Sequence, residues 1–376
     1  MKKYITNCNI ISDGKIIKNS GIAVENEKIV NITDLCPEGY ETVDLEGNYI
    51  SAGFIELHCH GGGGFEFIDG SDEAVINACE LHALGGARVM YPTISATDYD
   101  TMYKALETIE RIKDKTALYI AGVHLEGPYL HPQMCGAQDD SIIRYPDKNE
   151  YTKIVKRFSH LIARWDYAPE RDADNEFLNF LTKNNIVAAS AHTAAKYDDM
   201  QRAYEGGNRL VTHLYSCTST VMREGGFRKL GVIESAFLND GIFAEVIGDG
   251  AHIPKELLQM IFKIKGADRL CLVTDAIRFA GMDGANEYNG KIPYVIEDGV
   301  AKLADRSAFA GSIATMQDIL KKTVAAGISL ADTVTMLTKT PATVMGLDGF
   351  GQIKSGYNAV FTVFDKQLNI KKDKLN

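Results

Sequence analysis

The stretch "GFIELHCHGGGG", Gly53–Gly64, is where the reading of the fold begins. An apolar run ends in two histidines separated by one cysteine, and four glycines follow at once. On a strand, His58 and His60 are two residues apart, so both point to one face about 7 Å from each other, while Cys59 points to the other. Taken alone, the motif leaves three readings open: ligands for a metal ion, a thiol site, or the buried end of a strand beside a flexible loop. The glycines lack the GxGxxG spacing of a dinucleotide fingerprint, and no acid marks the end of a second strand at the usual distance. Their expected use is a sharp backbone turn that lies close to a ligand, as a floor under a substrate.

Outward from this stretch the same texture repeats. The runs "FIELHCH", "RVMYPTI", "IAGVHLE", "LIARWDYAP", "NIVAASAHT", "RLVTHLYS", "FAEVIGDGAH" and "LCLVTDA" are short and apolar. Helix-like segments such as "SDEAVINACELHALGG", "DTMYKALETIERIKDK" and "ADNEFLNFLTKNN" lie between several of them. Apolar strands alternating with helices imply parallel strands covered on both faces. Eight of them fit a (β/α)8 TIM-type barrel better than a short doubly wound sheet. Residues 1–50 read differently, as alternating strands broken by Gly, Asn and Asp turns with no amphipathic helix between them. After the helical "SLADTVTMLTKTPATVMGL", the segment "FGQIKSGYNAVFTVFDKQLNI" returns to that texture. The expected organisation is an α/β chain in two parts. Residues 1–50 and 347–376 form a small β-sandwich built from both ends, and residues 51–346 form the barrel.

The bulk numbers narrow the class. The chain has 376 residues, 45% hydrophobic and 24% charged, with a formal net charge of −10. That charge argues against non-specific binding to nucleic acid or an anionic membrane, though not against an anionic small substrate held by a local cation. No apolar run is long enough to span a membrane, and "MKKYITNCNIISDGK" lacks a signal-peptide core. The seven cysteines are scattered and never spaced CxxC, which fits reduced thiols in a cytoplasm.

Six of the nine histidines are not scattered. Those at His58, His60, His124, His192, His213 and His252 fall at or near the ends of the runs, as do Glu126 and Asp275. Active sites of such barrels form at the C-terminal ends of the strands. A lone strand histidine is ordinarily a satisfied core group, but neutral imidazole is also a common ligand for zinc and similar ions. Glu126 in "GVHLEGPYL" is placed to ligate one ion or bridge two. His124 shares its face, one step farther from the loop, and reads as a residue behind the ligands. His192 in "ASAHT" and His213 in "LVTHLYS" together make a pair for one ion. Asp275 follows a fully apolar strand, where an unpaired carboxylate would be costly, so a metal or substrate partner is expected. Such a set implies metal-assisted hydrolysis. An ion lowers the pKa of water and polarises a carbonyl, while Asp275 accepts the water's proton and returns it to a leaving amine. Divalent zinc is the first choice, with iron, manganese and cobalt as alternatives, one or two ions per subunit.

The motifs "AGFIELHCHG", "GVHLEGPYL" with "CGAQ", "AHT", "THLY", "GDGAH", "LVTDA" and "AGSIATM", in this order and spacing, run over nearly the whole chain. In them the chain resembles the amidohydrolase superfamily and, within it, the N-acetylglucosamine-6-phosphate deacetylase family. The resemblance implies that His58 and His60 bind one ion and that Glu126, His192 and His213 bind another. It implies that Asp275 is general base and then acid, and that Gln138 and His252 contact the sugar. Arg223 would reach the sugar phosphate of a neighbouring subunit in a homodimer. Where the family has Asn-Ala after "HLY", residues that help hold the phosphate, this chain has Ser216-Cys217. The resemblance implies hydrolysis of the acetamide of N-acetylglucosamine 6-phosphate, and the departure at Ser216-Cys217 makes N-acetylgalactosamine 6-phosphate or an unphosphorylated amide the alternative substrate. A non-catalytic sugar-phosphate-binding relative is the reading from another class.

Overall fold

The computed structural model describes residues 2–282, 287–288, 292–371 and 375. Residues 2–52 form five strands: β1 (Lys2–Ser12), β2 (Lys15–Glu25), β3 (Lys28–Thr33), β4 (Glu41–Asp44) and β5 (Tyr49–Ala52). Positive φ at Asn7 and a register shift between Ile5 and Cys8 break β1 into two halves. The first half pairs with β4 and the second with β5, both parallel. A bulge of this kind bends a sheet and increases its twist. The far edge at β3 meets the C-terminal segment, where Ile29 N donates to Tyr357 O at 2.9 Å. Ile5, Ile10, Ile22, Ile50, Phe361 and Val363 fill the core that this sheet encloses.

The barrel follows, each of its strands succeeded by a helix, with short extra strands inserted in some of the connections. Its strands are β6 (Phe54–Cys59), β7 (Ala87–Ile94), β8 (Val123–Glu126), β9 (Ile162–Tyr167), β10 (Val187–Ser190), β11 (Leu210–Val211), β12 (Phe243–Ile247) and β13 (Leu270–Val273). The helices are α1 (Asp72–Leu84), α2 (Tyr99–Ile112), α3 (Lys148–Phe158), α4 (Glu176–Lys183), α5 (Tyr197–Glu205), α6 (Val232–Leu238), α7 (Lys255–Lys265) and α8 (Met316–Ala325). Neighbouring strands pair in parallel from β6 to β13 in sequence order. The ring closes at β13 and β6, where Asp275 N donates to His58 O at 2.9 Å and Cys59 bridges Ala276. Glu56 completes the seam by accepting from the backbone N–H groups of His58 and Thr274. Burial pushes its carboxyl up to about 8.

Local chemistry explains the helices. Ser71 and Asp98 cap α1 and α2 by accepting from Ala74 N and Thr101 N. In α2, Met102, Ala105, Leu106, Ile109 and Ile112 recur at helical spacing and form its buried face. All six residues of β6 are buried, as expected of a strand between a filled lumen and a helical shell.

The last strand, β14 (Phe361–Phe364), pairs antiparallel with β5. Its buried Thr362 accepts from Phe54 N and donates to Gly86 O, joining the sheet to the barrel. All seven cysteines are free thiols. No helix among the described residues is long and apolar enough to cross a membrane.

Candidate active site

The ends of the barrel strands deliver the histidines to one place. His58 and His60 leave β6 with Nε2 atoms 3.3 Å apart. Glu126, at the end of β8, stands between both groups of imidazoles. Its Oε1 lies 3.1 Å from His192 Nε2, 3.1 Å from His213 Nε2 and 3.5 Å from His58 Nε2, and its Oε2 lies 3.4 Å from His60 Nε2. Asp275 Oδ1 is 3.1 Å from His60 Nε2 and 3.4 Å from His58 Nε2. His192, His213 and Asp275 each adopt positive φ, at 43°, 26° and 48°. Non-glycine residues take this conformation at a cost that surrounding structure must overcome, and such residues cluster at working sites.

The donor set fits metal ions. His58, His60 and Glu126 bring ligand atoms within 4.8 Å of one another, and so do Glu126, His192 and His213. For three of the four imidazoles the opposite ring nitrogen is also engaged, as is usual for metal-binding histidines, while His213 Nδ1 is buried without a hydrogen-bond partner. His192 Nδ1 donates to Met134 O at 2.8 Å, His58 Nδ1 faces the Glu245 carboxylate at 3.4 Å, and His60 Nδ1 meets Ser95 Oγ at 2.8 Å. A carbonyl and a carboxylate can only accept, so His192 and His58 carry their protons at Nδ1 and offer Nε2 to the site.

The electrostatics agree. Burial alone would raise the Glu126 and Asp275 carboxyls, but the surrounding imidazoles, His58 foremost, hold both well below the usual carboxylate range. Against its own burial, His60 is pushed up to about 9 by Asp275 and Glu126. Carboxylates that attract protons to these nitrogens attract divalent cations to them as well, so proton and cation compete for the same atoms.

The remaining expected site residues fall into two groups. Gln138, Ser216, Cys217 and His252 line a cavity of about 620 Å³ above Glu126 and Asp275. Gln138 has a second engagement: its Nε2 donates to Glu126 Oε2, and its Oε1 accepts from Ala96 N. Asp249 holds the Nδ1 of His252 at 2.8 Å. Gly136 makes room for Cys217, because a Cβ there would come within 2.6 Å of its Sγ. Arg223 lies apart from the cavity on an exposed antiparallel ribbon, Met222–Glu224 with Phe227–Lys229. Among the described residues the cavity is lined by Glu66, Asp98, Glu126, Asp139 and Asp275 and by no Lys or Arg.

Two features were not anticipated. The glycines after His60 are not a floor under a substrate, since none of Gly61–Gly64 lines the cavity. Gly61 and Gly62 pair with Glu66 and Phe65 in a tight ribbon, and a Cβ on Gly61 would sit 2.0 Å from Phe65 O. The close approach that demands glycine is to the chain's own backbone. The second feature is a buried ionic group in the lumen, made of Arg164, Asp166 and Glu245 with His124 beside them. "ARWDY", with two opposite charges spaced i, i+2 on one face of an apolar strand, and the lone Glu245 inside "FAEVI" are its traces in the sequence.

A family model matches residues 49–376 and is described as Amidohydrolase family. The chain belongs to the amidohydrolase family. It is 28% identical to the N-acetylglucosamine-6-phosphate deacetylase of Lysinibacillus sphaericus over 97% of this chain and 94% of that protein. The crystal structure of N-acetylglucosamine-6-phosphate deacetylase from Pasteurella multocida superposes with a TM-score of 0.90 at 26% identity, covering 98% of this chain and 97% of the other. A mutant of the Mycobacterium smegmatis enzyme, in complex with N-acetyl-D-glucosamine-6-phosphate, superposes equally well at 26% identity, covering 98% and 96%. This amidohydrolase therefore shares both its barrel and its terminal sheet with deacetylases across essentially their whole length.

Proposed function

We propose that this amidohydrolase cleaves the acetamide of N-acetylglucosamine 6-phosphate to glucosamine 6-phosphate and acetate. One observation carries the reading: four imidazoles and two carboxylates converge at one mouth of the barrel, beneath a cavity that Asp275 itself lines. A divalent ion there supplies Lewis acidity, polarising the amide carbonyl and acidifying water. Asp275, ionised by its imidazole neighbours, accepts the proton of the attacking water and delivers it to the departing amine. Gln138 holds Glu126 in place, and Asp249 fixes His252 so that its Nε2 is the ring atom open to substrate. The proposal extends to a homodimer, to zinc ahead of iron, manganese or cobalt, and to a cytoplasmic setting in keeping with seven free thiols.

Among the described residues that line the cavity there is no Lys or Arg, which bears on the phosphate. The exposed ribbon carries Arg223, Arg228 and Lys229, and in a homodimer Arg223 would supply a positive charge to a neighbouring cavity. Acetate release should be compared for N-acetylglucosamine 6-phosphate, N-acetylgalactosamine 6-phosphate and their unphosphorylated forms. The expected result is that the 6-phosphate of N-acetylglucosamine raises kcat/KM by about tenfold to a hundredfold, the worth of one or two charge-assisted hydrogen bonds. Arg223→Ala should lose most of that preference through KM. A clear preference for unphosphorylated sugars would refute the phosphate assignment. A preference for the galacto sugar would reassign the substrate and make Ser216-Cys217 the first place to look.

A further inference from the structure

Below the rim, the lumen holds charges where such barrels mostly pack branched aliphatic side chains. Arg164 and Glu245 are completely buried. The Arg164 guanidinium forks onto Glu245 through Nη1 and, at 3.0 Å, through Nη2. Its Nε donates to Asp166 Oδ1 at 2.9 Å, and Nη2 also donates to Thr212 Oγ1 at 2.6 Å. One guanidinium thus faces two carboxylates, leaving a surplus negative charge beneath the rim. The same Glu245 Oε2 that accepts from Arg164 Nη2 also faces His58, 3.4 Å from its Nδ1. The His58 ring is wedged edge-on against His124, their centroids 4.7 Å apart.

We propose that Glu245 is a positioning residue: it accepts the Nδ1 proton of His58, directs Nε2 toward the ion that His58 would hold with His60 and Glu126, and is itself locked by Arg164. This rests on the reading that His58 and His60 hold an ion. An acceptor behind a ligating imidazole fixes its tautomer and orientation and strengthens it as a ligand. Arg164 matters because an unpaired carboxylate under the rim would be free to turn or to take up a proton. Asp166 and Thr212 complete the fork, so the guanidinium has one resting place.

The test is a Co(II) titration of metal-free protein, read by visible absorption and by equivalents bound. Wild type is expected to take up two equivalents, and His58→Ala to lose one. Glu245→Gln should weaken that same equivalent about tenfold to a hundredfold, the usual effect of losing such a partner, and leave the other unchanged. Glu245→Asp keeps the charge that Arg164 needs while drawing it back from His58. It should show the same selective loss and guards against a folding failure of the first variant. In the His58→Ala background, Glu245→Gln should add nothing. Two wild-type-like equivalents in both Glu245 variants would overturn the proposal. So would equal weakening of both equivalents, or a loss that persists without His58. A wild type that binds one equivalent, unchanged by His58→Ala, would overturn the two-ion reading and the proposal together, and the wild-type arm separates that case from the others.

Discussion

Asp275→Asn is expected to slow acetate release by about 10²- to 10⁴-fold, the range that a positioned general acid–base contributes. Asparagine nearly preserves the shape of the side chain but cannot accept the proton of the attacking water or return one to the amine. The ligand group of Glu126, His192 and His213 does not include residue 275, so this variant should retain the ion held there. Steady-state acetate release paired with elemental analysis measures both halves. The carboxyl is held well below the usual range by His58 and His60 despite its burial, so the wild-type enzyme presents it as the ionised base throughout the neutral range. A variant that holds its metal and deacetylates at near-normal rate would remove Asp275 from the reaction.

The second large effect is on stability. Arg164→Met should destabilise the protein by about 3–5 kcal/mol, the usual cost of taking one partner from a buried ionic group. The methylene stem is replaced, but Asp166 and Glu245 lose their counter-charge in a site without exposure. Arg164 is what holds the Glu245 carboxyl down to about 2 against its burial. Chemical denaturation of the single variant should therefore show a large drop in midpoint. Adding Glu245→Gln to Arg164→Met should restore part of it, because the orphaned charge is then gone. Strictly additive losses would mean that the two residues do not act as a pair.

The barrel and its rim are legible in the sequence because two periodicities coincide. Each short apolar run is too continuous for an exposed strand, and six of the eight carry at or near the end a residue that is poor filler but good chemistry, such as His60, His192, His213 and Asp275. The order of those ends along the chain is their order around the ring. What lies deeper is not legible. Arg164, Asp166 and Glu245 sit inside short strands, where a single charge ordinarily marks a solvent-facing position, and only their mutual contact in the closed ring reveals an interior set. The engagement of Gln138 with Glu126 depends on a loop whose path no periodicity specifies. The glycines after His60 are conspicuous in the sequence, but glycine reports only that something comes close, and here it is the carbonyl of Phe65.

Acetate release from N-acetylglucosamine 6-phosphate, followed on one preparation as purified, after chelation, and after a divalent ion is restored, is the most direct test of the proposed chemistry. The expected result is activity that falls by about 10²-fold or more with the ion removed and returns in proportion to the ion bound, as befits a site whose Lewis acid carries several kcal/mol of the barrier. Undiminished release from protein shown by elemental analysis to be free of metal, or no release from fully loaded protein that still binds the sugar, would contradict it.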